Sequence, residues 1–267
     1  MKYSVVVNPY CGNREKLDVK TLARTLGNNC EIHSIDDTTA AKNDVVVVCG
    51  GDGTLKNALD NYPDKQIYFV PCGTLNETKR LGDRIEFVGN CNGTRFAYVC
   101  ATGSFTEIGY SAKCTDKQRS KALAYLFEVF KWYICHDITA QIDLDGKDLS
   151  GKYTLLMVLK SSTCFGFTFN KMYNEKPQTY MLGIRACGKN NLINKVKMFF
   201  PFFRVFFGGV RRPTVNKHWF MLPFDNATVK LEQPQNFCVD GELRTFDGTL
   251  HFSSVKLTHP VKVLRLH

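Results

Sequence analysis

Val45-Val46-Val47-Val48 is an unbroken apolar run, the pattern of a parallel strand covered on both faces. It leads straight into Gly50-Gly51-Asp52-Gly53. Thr54 can then cap a helix in which Leu55, Ala58 and Leu59 share one face. Two further strands are predicted at Tyr3–Val7, stopped by Asn8-Pro9, and at Ile67–Val70, stopped by Pro71. Leu17, Leu22 and Leu26 are spaced as on one side of a helix over Arg14–Leu26. This alternation predicts a parallel sheet with helices packed on it.

From Phe96 the texture changes. Phe96–Ala101 reads as a strand, and Ser120–Ile134 as an amphipathic helix with Leu123, Leu126, Phe127, Phe130 and Ile134 on one side. Short strands follow: Ile138–Leu144 alternates, Asp145-Gly146 turns, and Tyr153–Leu159 returns. Leu243–Phe246, Asp247-Gly248 and Thr249–Phe252 predict a hairpin. The expected architecture is α/β plus β. An α/β domain spans residues 1–95, an antiparallel β-rich domain spans 96–267, and the last residues are able to return to the first domain.

The chain has 267 residues, enough for two domains, with 44% hydrophobic and 22% charged residues, a globular composition. Its net charge of +10 favours nucleotide phosphates, anionic membrane surfaces or nucleic acid as partners. Nucleic acid is set aside, because the chain shows no zinc-finger spacing, arginine-rich tract or strongly basic helix. The eleven cysteines are scattered without a Cys-x-x-Cys pair. That pattern argues for buried thiols in a reducing cytosol and against a disulfide framework or zinc site. The N-terminus opens on a strand pattern with no secretion signal, so a cytoplasmic protein is expected.

A strand that ends in glycines and opens into a helix offers backbone N–H groups to a phosphate. Asp52 would repel that phosphate unless a divalent cation lay between them, the arrangement that kinase chemistry uses. A simple tight turn explains Gly-Asp-Gly equally well. Two more strand ends carry similar residues: Asn8-Pro9-Tyr10-Cys11-Gly12 and Pro71-Cys72-Gly73-Thr74-Leu75-Asn76. Ligand sites of open α/β sheets gather at such ends. Asp240 and Glu242, two residues apart on an extended strand, would point the same way and could share a cation or a proton. The alternative is that Asp240-Gly241 is a hairpin turn.

These motifs together resemble the diacylglycerol kinase and sphingosine kinase superfamily, most closely its soluble bacterial members. The resemblance rests on Asn8-Pro9 with Gly12, Gly50 to Thr54, and Pro71, Gly73, Thr74 and Asn76. It continues through Phe96-Ala97-Tyr98-Val99, Gly103 to Glu107, the Lys121–Tyr125 helix and Val239-Asp240-Gly241-Glu242. It implies a nucleotide domain like that of NAD kinase and phosphofructokinase, a β-sandwich-like second domain, and an active site in the cleft. ATP would bind at Asn8, Gly12, Gly50, Gly51, Gly53, Thr54, Gly73, Thr74 and Asn76, with Mg2+ at Asp52 and Glu242. Asp240 would be the base for a lipid hydroxyl, diacylglycerol first among the acceptors.

The family pattern is not complete. Asn13 stands where a lysine is common, Phe165-Gly166 replaces Gly-Gly, and Asn174–Thr179 lacks an Asp-Gly turn, so no structural magnesium is expected. Two other readings remain: an NAD kinase-like enzyme, using Asn76-Glu77 on the nucleotide, and a lipid- or nucleotide-binding relic without turnover. The run Met198–Phe207, flanked by Lys195, Lys197, Arg204, Arg211 and Arg212, is too short for the ~20 residues of a membrane span. It suits either an anionic membrane surface or a core helix, with Pro201 and Gly208-Gly209 expected to break it. A homodimer is compatible with the sequence.

Overall fold

The computed structural model describes residues 2–12, 18–27, 29–35, 42–73, 77, 82–104, 106, 136–164, 166–173, 178–186, 188 and 191–264. Thr74, Asn76, Asn13, Arg14, Phe165 and the expected Ser120–Ile134 helix lie outside them. The chain forms two compact units, residues 1–88 with 255–267, and residues 89–254.

The first unit contains β1 (Tyr3–Val7), α1 (Val19–Thr25), β2 (Cys30–Ser34), β3 (Val45–Gly50), α2 (Asp52–Asn61) and β4 (Gln66–Pro71). Strand β5 (Arg84–Cys91) then carries the chain into the second unit. β1 pairs in parallel with β2 on one side and β3 on the other, and β3 pairs in parallel with β4. The four valines of β3 are all buried, as a strand covered on both faces requires. Leu22 and Leu26 pack with Val5, Val7, Val47 and Val70 on one face of this sheet. Because β2 and β3 lie on opposite sides of β1, the strand order reverses there. The loops after β1 and β3 therefore leave the sheet at its topological switch point.

The second unit starts with β6 (Thr94–Phe96), β7 (Val99–Gly103), β8 (Ile138–Leu144), β9 (Lys147–Asp148) and β10 (Gly151–Leu159). Next come β11 (Thr163–Cys164), β12 (Phe167–Thr168), β13 (Thr179–Arg185) and α3 (Leu192–Phe206). It closes with β14 (Thr214–Val215), β15 (Trp219–Phe224), β16 (Asn226–Leu231), β17 (Gln235–Val239), β18 (Glu242–Phe246) and the first part of β19 (Thr249–Val263), which from Val255 on belongs to the first unit. The strand pairings within this unit are antiparallel. β10 joins two runs of strands, pairing over Leu155–Leu159 with β7 and over Gly151–Tyr153 with β8. β8 buries Ile138, Ala140, Ile142 and Leu144 and exposes Gln141 and Asp143, the alternation of a sheet with one wet face. These side chains pack with Tyr153, Leu156, Phe220 and Phe252 in one core.

Three expectations change. The strand foreseen over Phe96–Ala101 is divided between β6 and β7, because Ala97, Tyr98 and Val99 give their N–H groups to Asp240. Pro201 does not break its helix: α3 runs through it, capped at the front by Asn191, whose side chain accepts from the Asn194 N–H at 2.8 Å. The hairpin closes at Asp240-Gly241, joining β17 to β18, while β19 pairs with β16.

Candidate active site

The Gly-rich loop follows β3, and its geometry starts with Gly50. A Cβ there would lie 2.3 Å from the Thr54 hydroxyl oxygen, so only glycine lets the first turn of α2 fold back on the strand end. The helix begins three residues earlier than a Thr54 cap predicts. Gly51 is the extended capping residue and Asp52 opens the helix, placing a carboxylate at the positive end of the helix dipole. Thr54, now inside the first turn, is buried and accepts a hydrogen bond from Asn8 Nδ2 at 2.9 Å. Asn8 Oδ1 in turn accepts from the Tyr10 N–H at 2.9 Å. One side chain thereby sets the turn after β1 and ties it to the turn after β3.

The loop after β4 is tied in as well. Asp52, 7% exposed, accepts the Glu77 N–H at 2.8 Å on Oδ2. The Cys72 N–H donates to the Gly50 carbonyl at 2.9 Å. Gly73 is buried beside it, whereas Gly12 is exposed at the far turn. Three strand-end loops therefore converge, and the described residues among those predicted to bind nucleotide all lie on them.

Some features of this unit were not foreseen. Cys11 and Cys72, on different loops, place their sulfurs 3.1 Å apart. Burial, reinforced by the neighbouring Cys11, pushes the Cys49 thiol up to about 12. Lys56 is fully buried in α2 and pairs with Asp60 at 2.6 Å. Its position four residues before an acid was the available signal.

In the second unit Asp240 sits at the tip of the β17–β18 hairpin, with Val239 opposite Glu242. Asp240 and Gly241 have φ of 49° and 93°, so the turn is of the two-residue type that needs left-handed conformations. This corrects the extended-strand argument: Asp240 is in the turn and Glu242 begins the next strand, so alternation does not align them. Asp240, 1% exposed, accepts the Ala97 N–H on Oδ2 and those of Tyr98 at 3.0 Å and Val99 at 2.9 Å on Oδ1. Three N–H donors favour the ionised carboxylate. The Glu242 carboxylate is half-exposed, 3.6 Å from Arg244. Nearby, Lys160 is buried with its Nζ on Ser254 Oγ at 3.0 Å, and burial draws its ammonium down to about 8.

Among the described residues no three His, Cys, Asp or Glu side chains converge as a dedicated metal cage would require. Mg2+ at a nucleotide needs less, since one or two carboxylates suffice when phosphates and water complete its shell. Asp52, a hard oxygen donor in the first turn of α2, fits that role.

Glycine-rich loops locked together at the switch point of a parallel sheet have the form of sites that bind nucleotide phosphates, and comparison with known proteins adds to this. Residues 2–83 match the diacylglycerol kinase catalytic domain. A candidate lipid kinase of Streptococcus pneumoniae serotype 4 is 21% identical over 67% of this chain and 72% of its own. Among solved structures, a diacylglycerol kinase of Bacillus anthracis aligns over 98% of this chain and 96% of its own, with TM-score 0.68 and 15% identity. A candidate diacylglycerol kinase from the same organism reaches TM-score 0.72 at 16% identity, covering 98% and 97%. An Archaeoglobus fulgidus NAD kinase in complex with ATP shares the fold at TM-score 0.55 and 12% identity, over 98% and 93%. The chain therefore shares the fold of these kinases, and its residues 2–83 carry the pattern of the diacylglycerol kinase catalytic domain.

Proposed function

We propose that the protein transfers the γ-phosphoryl group of ATP to a lipid hydroxyl at an anionic membrane surface, with diacylglycerol as acceptor and phosphatidic acid as product. The observation that carries this reading is the locked set of loops within the stretch matching the catalytic domain: Asn8 on Thr54, and Asp52 on Glu77. Backbone N–H groups at Gly51, Gly53 and Thr54, backed by the α2 dipole, cradle phosphate oxygens. Asn8, Gly12, Gly50, Gly73, Thr74 and Asn76 complete the nucleotide contacts. Asp52 would hold Mg2+, and the ion would supply charge neutralisation for the transferring phosphoryl.

Asp240 and Glu242 serve the acceptor. Three N–H donors make Asp240 a weak base, and phosphoryl transfer tolerates one, because its loose transition state demands positioning more than early proton removal. Asp240 therefore orients the hydroxyl and takes its proton late, and Glu242 steadies the group beside it.

The test incubates the protein with γ-labelled ATP and Mg2+ against diacylglycerol in mixed micelles, total lipid extract, and NAD. Label in phosphatidic acid, reduced at least about 100-fold by Asp52→Asn, is the expected result. Label in NADP alone would replace the reading with a nucleotide kinase. ATP binding without transfer to any acceptor would make the chain a relic.

A further inference from the structure

Helix α3 buries one side and leaves an apolar side in water. At about 3.6 residues per turn, Met198, Pro201, Phe202 and Val205 face the protein and are buried. Leu192, Ile193, Val196, Phe200, Phe203 and Phe207 fall on the opposite side. Leu192 is 74% exposed, Phe200 68% and Phe203 47%. Such positions on a surface helix are ordinarily polar. Phe203 stacks on Phe199 at 5.6 Å and on Phe207 at 4.9 Å, so the outer rings form a column along the helix.

The charge around this strip has one sign. No Asp or Glu occurs between Glu175 and Asp225. Lys197, Arg204, Arg211, Arg212 and Lys217 are exposed on the helix and the segment after it, and Lys195 is half-buried. No described helix is long and apolar enough to cross a membrane.

We propose that α3 is the membrane-docking surface of this protein, lying in the plane of an anionic bilayer. Phe200 and Phe203 enter the acyl boundary, while the surrounding lysines and arginines meet headgroup phosphates. An acidic protein would satisfy the charges. It would not call for a strip of six aliphatic and aromatic side chains with no hydrogen-bonding group among them, which a fluid hydrocarbon boundary matches without a fixed shape. The inference deepens the lipid-kinase reading and rests on it for its purpose, since a lipid acceptor resides in the bilayer. Its test reads binding alone.

Flotation with phosphatidylcholine vesicles, with and without phosphatidylglycerol, is the measurement. Binding that requires the anionic lipid is expected, and it should fall at least about tenfold in Phe200→Ser/Phe203→Ser and in Arg211→Gln/Arg212→Gln. Circular dichroism melts of both variants should match wild type, because the four side chains are exposed. Turnover on short-chain diacylglycerol in detergent micelles should persist in both. Absent vesicle binding with intact micellar turnover overturns the docking surface and leaves the kinase standing. Vesicle binding without transfer to any lipid overturns the kinase and leaves the surface standing. A dimer that dissociates in Phe200→Ser/Phe203→Ser, with vesicle binding unchanged, would reassign the strip to a second copy of the chain.

Discussion

Replacing Asp240 by Asn changes a single oxygen to an amide nitrogen, yet it falls on a fully committed carboxylate. If the amide oxygen keeps the Tyr98 and Val99 N–H groups, the new NH2 faces the Ala97 N–H, donor against donor. One buried donor is then unsatisfied, at about 1–3 kcal/mol, and two charge-assisted bonds weaken to neutral ones, about 1 kcal/mol together. The expected cost is roughly 3 kcal/mol, a drop in Tm of about 6–12 °C for a protein of this size. Asp240→Ala, which strands all three donors, should cost more. Thermal unfolding followed by circular dichroism measures both. A Tm for Asp240→Asn within about 2 °C of wild type would refute the reasoning, because the magnitudes used leave no room for so small a change. The outcome also governs how activity is read: lost turnover in an Asp240 variant identifies a base only at temperatures where that variant is fully folded.

Three further outcomes are expected. Gly50→Ala drives a methyl into Thr54, so it should break the Asn8–Thr54 bond and weaken ATP binding in calorimetry, with a stability cost of about 1–3 kcal/mol. Lys160 has its folded value drawn from 10.5 down to about 8; the unfolded chain binds the extra proton between those values, so the penalty is complete below pH 8 and gone above pH 10.5. Against Lys160→Met, wild-type stability in urea should therefore gain up to about 3 kcal/mol across that window, and parallel curves would sink the assignment. Peroxide should join Cys11 and Cys72, both thiols giving up hydrogen as peroxide becomes water. ATP binding should then fall and recover with dithiothreitol, and Cys11→Ser should be insensitive.

Much of the first unit was legible because its signals are local. An all-valine strand has one burial pattern, and glycines at a strand end have few uses. The links between loops were not legible. Asn8 to Thr54 spans 46 residues and Asp52 to Glu77 spans 25, and no periodicity reports a side-chain bond across such separations. Asp240 misled by its spacing to Glu242: alternation holds only while φ stays extended, and a left-handed turn cancels it. Pro201 misled in the other direction. Propensity argues against a helix there, but Met198, Phe202 and Val205 bury enough apolar surface to carry the chain through.

The last strand has a consequence for how the protein is made. Residues 262 and 263 of β19 pair in parallel with Tyr68 and Phe69 of β4. Until they arrive, β4 presents an open edge, the kind of surface that recruits strands from other chains. At about 5–20 residues per second, synthesis takes roughly 10–35 s to pass from residue 83 to residue 263. Throughout that interval the nascent first unit lacks its closing strand while the whole second unit is being synthesised. The first unit is thus closed by residues that follow the second unit in the chain, and until they arrive the β4 edge has to be kept from other strands.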